Sequence, residues 1–190
     1  MKQTRDSEAF LAQLEPLRHQ LYGYARRALN RPDAVADALQ EVVLTAWREF
    51  PRFVPGTNFR AWVFRIMVNT VFNLNKRGVR EQTVPDESAM LDVEAVLEHE
   101  AEWSLILDDP QRLRELLDER LVHAIDALGE HERQCFLLRL IQGFSYKEVS
   151  GMLGLPLGTV MSHIHRARMK LRERLATLAM ERRYASEGHP

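Results

Sequence analysis

The sequence predicts an all-α fold: two small helical domains joined by an acidic flexible linker, the C-terminal one containing a helix-turn-helix. Three observations carry this. Apolar residues recur at i, i+3 and i+4 through two blocks, 1–79 and 113–178, and no stretch alternates as a half-buried strand would. The intervening segment, 80–112, is acidic and lacks strong helix caps. A glycine and a proline, Gly154 and Pro156, stand between two helix signals in the second block. A chain of 190 residues accommodates two small domains.

In the first block, Phe10, Leu14, Leu17, Leu21 and Ala25 form one core-facing stripe. A second helix follows over 33–50, with Asp33 near its positive end and Val35, Leu39, Val42, Val43, Ala46 and Phe50 as its apolar face. Asp37, Gln40, Glu41 and Arg48 fall outside that face. "PRFVPGTN" (51–58), with two prolines and a glycine, reads as a structured loop. A third long helix spans 59–77 and buries Phe59, Val63, Ile66, Met67, Thr70 and Leu74. Across from that stripe, Arg65, Asn69 and Lys76 line an arc flanked by Trp62 and Phe72. Cations interleaved with aromatics suit single-stranded nucleic acid, because rings stack on unpaired bases while cations track phosphates. Trp62, Phe64 and Phe72 are equally compatible with a core, and the pattern alone leaves that open.

Charge is segregated although the formal net charge is only −1. Residues 47–80 carry Arg48, Arg52, Arg60, Arg65, Lys76, Arg77 and Arg80 against Glu49, a net +6. Residues 81–110 hold ten acids and no Lys or Arg. Residues 156–174 carry five basic residues against Glu173, a net +4. Two basic zones around an acidic one fit two contacts with a polyanion and a connector that avoids it.

In the second block, "LRELLDERLVHAIDAL" and "ERQCFLLRLIQG" read as helices. Ser145 then offers a helix cap, Glu148 closes the capping box, and Phe144 can staple to Val149. Gly154 supplies a left-handed helix end, Pro156 blocks continuation, and a further helix runs from about Leu157 to Leu175. At 100° per residue, Leu157, Val160, Ile164, Ala167, Leu171 and Leu175 face the core. The opposite side displays Thr159, Ser162, His165, Arg166, Met169 and Lys170, with His163 and Arg168 at the flanks. Hydroxyls early and cations later suit a helix whose N-terminal end enters a major groove. Residues 179–190 read as a loose tail.

Other chemistries find little purchase. His163 and His165, two residues apart, point to opposite sides of a helix, and His131 with Cys135 is one pair, short of a zinc site. No metal and no cofactor is expected. Cys135, the single cysteine, excludes an internal disulfide framework and fits a reducing compartment. No apolar run approaches the ~20 residues of a bilayer span, and the start lacks a signal-peptide core, so a cytoplasmic protein without membrane insertion is expected. No glycine-rich phosphate loop and no nucleophile–base or carboxylate pair marks an enzyme.

"DALQEVVLTAWREF", "FRAWVFRIMVN" and "FSYKEVSGMLGLPLGTVMSHIHRAR", in that order, resemble an extracytoplasmic-function (ECF, group IV) sigma factor of bacterial RNA polymerase. The resemblance covers most of residues 8–175. It implies that 1–79 is sigma region 2 and 113–178 is sigma region 4. Asp37, Gln40, Glu41 and Trp47 would then dock on the clamp coiled coil of the polymerase β′ subunit, with further contacts to β. Val54, Pro55, Gly56, Thr57 and Asn58 match the loop that captures a flipped base of the −10 element. Arg60, Trp62, Arg65, Asn69 and Lys76 would bind the melted strand, and base capture offsets the unstacking cost of a few kcal/mol. The duplex at −35 would be read through Thr159, Ser162, His163, His165, Arg166, Arg168 and Lys170, with Lys147 on phosphate. His163 stands where many relatives carry a basic residue, and Met161 cannot donate to a base edge. The family usually acts under an anti-sigma factor, often membrane-anchored, which would hold the protein at the inner membrane. The alternative is a helix-turn-helix regulator of response-regulator type, which requires an α/β receiver in the first 110 residues.

Overall fold

The computed structural model describes the backbone of residues 2–78 and 124–187 and the side chains of residues 7–77 and 124–174. Among the described residues every regular element is helical. The linker expected at 80–112 lies outside them, as does most of the helix expected from residue 113, of which 124–126 is described as helical. The described chain divides into two compact units, one from residues 2–78 with 147–154, the other from 124–146 and 155–187.

The first unit begins with α1 (Lys2–Leu14), a 3₁₀ turn (Glu15–Leu17) and α2 (Arg18–Ala28). Phe10, Leu14, Leu17, Leu21 and Ala25 are all buried, so the stripe continues through the turn. Pro16 is placed at the turn's start, where a missing N–H costs nothing. α3 (Val35–Glu49) follows and buries Val35, Ala38, Val42 and Ala46. Leu39, Val43 and Phe50 are half-buried, and Asp37, Gln40, Glu41 and Arg48 are exposed. The alanines let α4 (Phe59–Gly78) pack closely on α3.

α4 buries a wider arc than the sequence implies. Phe59, Val63, Phe64, Met67, Val68, Thr70, Val71 and Asn75 are buried, a sector of about 180° at 100° per residue. Ile66 and Leu74, expected inside, are half-buried. Phe64 is core: it is fully buried and meets Tyr24 edge-on at 5.6 Å. Asn75 Nδ2 donates to the Ala28 carbonyl at 3.0 Å, and its Oδ1 accepts the Asn30 N–H at 3.0 Å. One buried amide thereby satisfies the backbone where α2 ends.

In the second unit, Gly129 precedes α5 (Glu130–Phe136), which runs into a π turn (Leu137–Ile141). The wider turn is closed by the Gln142 N–H donating to the Leu137 carbonyl at 2.9 Å. Next in the chain is α6 (Tyr146–Leu153), which from Lys147 on is grouped with the first unit; Gly154 takes a φ of +66°, the left-handed end expected of it, and α7 (Leu157–Glu187), of the second unit, follows. α5 and α7 pack on each other. Val160, Ile164, Ala167 and Leu171 are buried as expected. Two expectations fail. Leu157, the first residue of α7, is 45% exposed and lies outside the packed stretch. Residues 179–187, read as a loose tail, are helical, because no Gly or Pro stands between Gly158 and Gly188 to end the helix.

Candidate nucleic-acid interface

Aromatic packing fixes the loop that leads into α4. Phe10 meets Trp47 at 5.3 Å and Phe50 at 5.2 Å, and Phe53 meets Phe59 at 5.3 Å and Trp62 at 5.2 Å. Beyond this cluster Val54, Pro55, Gly56, Thr57 and Asn58 are exposed, Val54 by 63%. The Thr57 N–H and hydroxyl both donate to the Val54 carbonyl, at 3.2 and 2.7 Å. Pro55 and Gly56, the latter at φ +85°, occupy the two central positions of that turn, as a type II turn requires. Asn58 Oδ1 accepts the Ala61 N–H at 3.0 Å and caps α4. An apolar, solvent-facing tip therefore sits on a rigid aromatic base.

Trp62 and Phe72 are half-buried, while Arg65, Asn69 and Lys76 are exposed, so the arc read from the sequence is present on α4. Asn73, also exposed, lies just beyond Trp62, about 80° from Arg65, and was not singled out from the sequence. Arg60 does not join it. It lies about 140° around the helix from Arg65; its Nε donates to Gln20 Oε1 at 2.8 Å and its guanidinium lies 5.3 Å from the Phe64 ring centre. Burial pulls its pKa below the usual arginine value.

The second basic zone departs further from expectation. Thr159 and His165 are half-buried and Lys147 is exposed. Ser162, His163 and Arg168 are buried, contrary to their place on the expected reading face. His163 and Arg168 flank the apolar stripe and widen the buried sector of α7 to about 140°. The Ser162 hydroxyl turns back to the Gly158 carbonyl at 2.9 Å. The His163 ring stacks on His131 of α5 at 5.5 Å, and Arg166 donates to His163 Nδ1 at 2.9 Å. An arginine N–H only donates, so the neutral His163 ring carries its proton on Nε2.

Arg166 and Lys170 both meet Glu132 of α5. Lys170 Nζ donates to the two carboxylate oxygens at 2.9 and 2.8 Å, and Arg166 Nε lies 3.4 Å from Oε1. Glu132 Oε2 also accepts the Gly129 N–H at 3.3 Å, closing the start of α5. Cys135, one turn on, is buried, and burial pushes its thiol up to about 12; Arg166 opposes that shift and Glu132 adds to it. Among the described residues no group of three or more His, Cys, Asp or Glu is placed to hold a metal ion.

On the outer side of α3, Asp37, Gln40 and Glu41 are exposed, and Trp47 is half-buried against Phe10. Gln40, Leu39, Val43 and Leu44 border a groove of about 860 Å³ whose other wall includes Leu11 and Tyr22. Leu11, Tyr22 and Leu44 are each about half exposed, so the groove is an open apolar surface.

Sigma-70 region 2 matches residues 14–81 and Sigma-70 region 4 matches residues 118–171. The ECF RNA polymerase sigma-E factor of Escherichia coli is 31% identical over 169 residues, covering 87% of this chain and 86% of that protein. The ECF RNA polymerase sigma factor SigE of Mycolicibacterium smegmatis is 31% identical over 163 residues, 85% of this chain, which spans 59% of that longer protein. The fold is similar, at a TM-score of 0.66 and 24% identity, to the sigma factor RpoE in complex with the anti-sigma factor NepR from Bartonella quintana, covering 89% of this chain and 98% of that one. With 31% identity to the Escherichia coli sigma-E factor over most of both chains, and region 2 and region 4 matched in order, the chain belongs to the extracytoplasmic-function (ECF) sigma factors of RNA polymerase.

Proposed function

We propose that this sigma factor grips the melted −10 strand with the loop Val54–Asn58 and the α4 arc of Trp62, Arg65, Asn69 and Lys76. The observation that carries this is the pairing of an exposed, hydrogen-bonded turn with an aromatic-basic arc that begins one turn later on α4. An extruded base would enter beside Val54 and Gly56, and the arc would hold the following phosphates and bases. Arg60 supports the helix from its other side. Docking on core RNA polymerase falls to Asp37, Gln40 and Glu41 with the neighbouring apolar groove, while Trp47 braces α3 from within. Duplex at −35 is read from α7 by Thr159 and His165, with Lys147 of α6 on phosphate.

As a sigma factor the chain directs polymerase to specific promoters; the receiver of a response regulator has no counterpart in the all-helical described part of the first unit. An anti-sigma factor covering these faces would keep the chain inactive, as the RpoE relative is held in a complex with NepR. If that inhibitor is anchored in the inner membrane, it retains the chain there without lipid contact. No described helix is long and apolar enough to cross a membrane.

The test is Trp62→Ala in reconstituted holoenzyme. Permanganate reactivity of the −10 thymines should fall at least tenfold, while closed-duplex binding changes less than twofold. Equal loss of both would assign Trp62 to the core and remove the arc from strand binding.

A further inference from the structure

Glu132 has no part in any contact with polymerase or promoter discussed above, yet two cations of the reading helix converge on it. Its side chain is 9% exposed, whereas that of Lys170 is 51% exposed and that of Arg166 is 23% exposed. Of the five basic residues between 166 and 174, Arg168 is buried, Arg166 and Lys170 are on Glu132, and Arg172 and Arg174 are exposed.

An exposed lysine exchanges its counterion for a DNA phosphate readily, and each such exchange adds to the salt dependence of binding. A nearly buried carboxylate is a stronger competitor. It is pre-positioned by the Gly129 N–H and by α5 itself, and stripping its cations would leave a desolvated charge uncompensated. We propose that Glu132 is an internal counter-anion that keeps Arg166 and Lys170 off the DNA backbone, restraining sequence-independent affinity so that promoter choice rests on the exposed part of α7. This rests on the reading of α7 as the duplex-binding helix. Glu132 touches no DNA; it acts through Arg166 and Lys170.

The experiment is a salt titration of full-length chain binding a random-sequence DNA duplex, taking the slope of log K against log salt. With Glu132 in place, K170M should leave the slope unchanged, because Lys170 is already neutralised. E132Q should tighten binding severalfold at low salt and steepen the slope by roughly 0.9 to 1.8, one or two phosphates' worth. E132D, which keeps the charge, should stay near wild type, and adding K170M to E132Q should return about 0.9 of the slope. A purely structural Glu132 would make E132Q bind more weakly at unchanged slope, which overturns the proposal. So does a slope loss of about 0.9 in K170M alone, since Lys170 would then already lie on phosphate. K170M alters a half-exposed side chain, so this arm decides the matter even if E132Q fails to fold. Absence of duplex binding by the wild-type chain at the lowest salt would instead remove the reading of α7, and the proposal with it.

Discussion

The rings of Phe53 and Trp62 meet with centroids 5.2 Å apart, tying the segment before the exposed turn to the helix after it. Phe53→Ala removes that tie, the contact with Phe59 and the stack on Phe50 just past the end of α3. Loss of these aromatic pairs is expected to lower stability by about 1–2 kcal/mol. Promoter melting should fall by more than core-polymerase binding does, because the turn loses its base while α3 keeps its own packing. Urea unfolding, permanganate reactivity and a polymerase-binding assay on one variant separate the three quantities.

Asn75→Ala strands the Ala28 carbonyl and the Asn30 N–H together. Leaving a buried backbone group unsatisfied costs about 1–3 kcal/mol, so a loss at the upper end of that range is expected in urea unfolding. Asn75→Asp retains the acceptor for Asn30 and removes the donor to Ala28, so it should also destabilise. Neither variant should alter the salt dependence of duplex binding, since Asn75 faces the core of the first unit.

Cys135 supplies a pH dependence. Its folded value of about 12 lies above the ordinary thiol value of 9.0. Below the ordinary value the thiol is protonated in folded and unfolded chains alike, and stability is at its full level. As pH rises from there towards about 12, the unfolded chain loses the proton while the folded one keeps it, so stability falls. Native protein should therefore react with iodoacetamide at pH 8 at least a hundredfold more slowly than the urea-unfolded chain. Comparable rates would place the thiol at the surface.

What the sequence revealed depended on distance along the chain. The exposed Asp37, Gln40 and Glu41, and the arc of Arg65, Asn69 and Lys76, follow from helical geometry within one element, and they are where the spacing puts them. Gly154 and the Pro55–Gly56 turn were legible because their backbone demands are local. The side of α4 that Arg60 occupies follows from helical phase, but its partner was not legible, because Gln20 lies 40 residues earlier. Ser162, His163 and Arg168 share the polar periodicity of an exposed face. Their burial depends on tertiary packing such as the stacking of His131 on His163, which helical phase cannot reveal. Asn75 bonds to residues 45 and 47 positions away, so its structural role leaves no local signature. Local rules located the faces, and tertiary partners decided which charges on them stay available.

Run-off transcription with core RNA polymerase on a genomic promoter library, with and without the purified chain, tests the central claim most directly. A sigma factor built as described should yield a discrete set of start sites that depend on the chain, and Arg65→Ala with Asn69→Ala should abolish them while core binding persists. A library transcribed identically with and without the chain, no inhibitor being present, would contradict its assignment as a promoter-directing subunit.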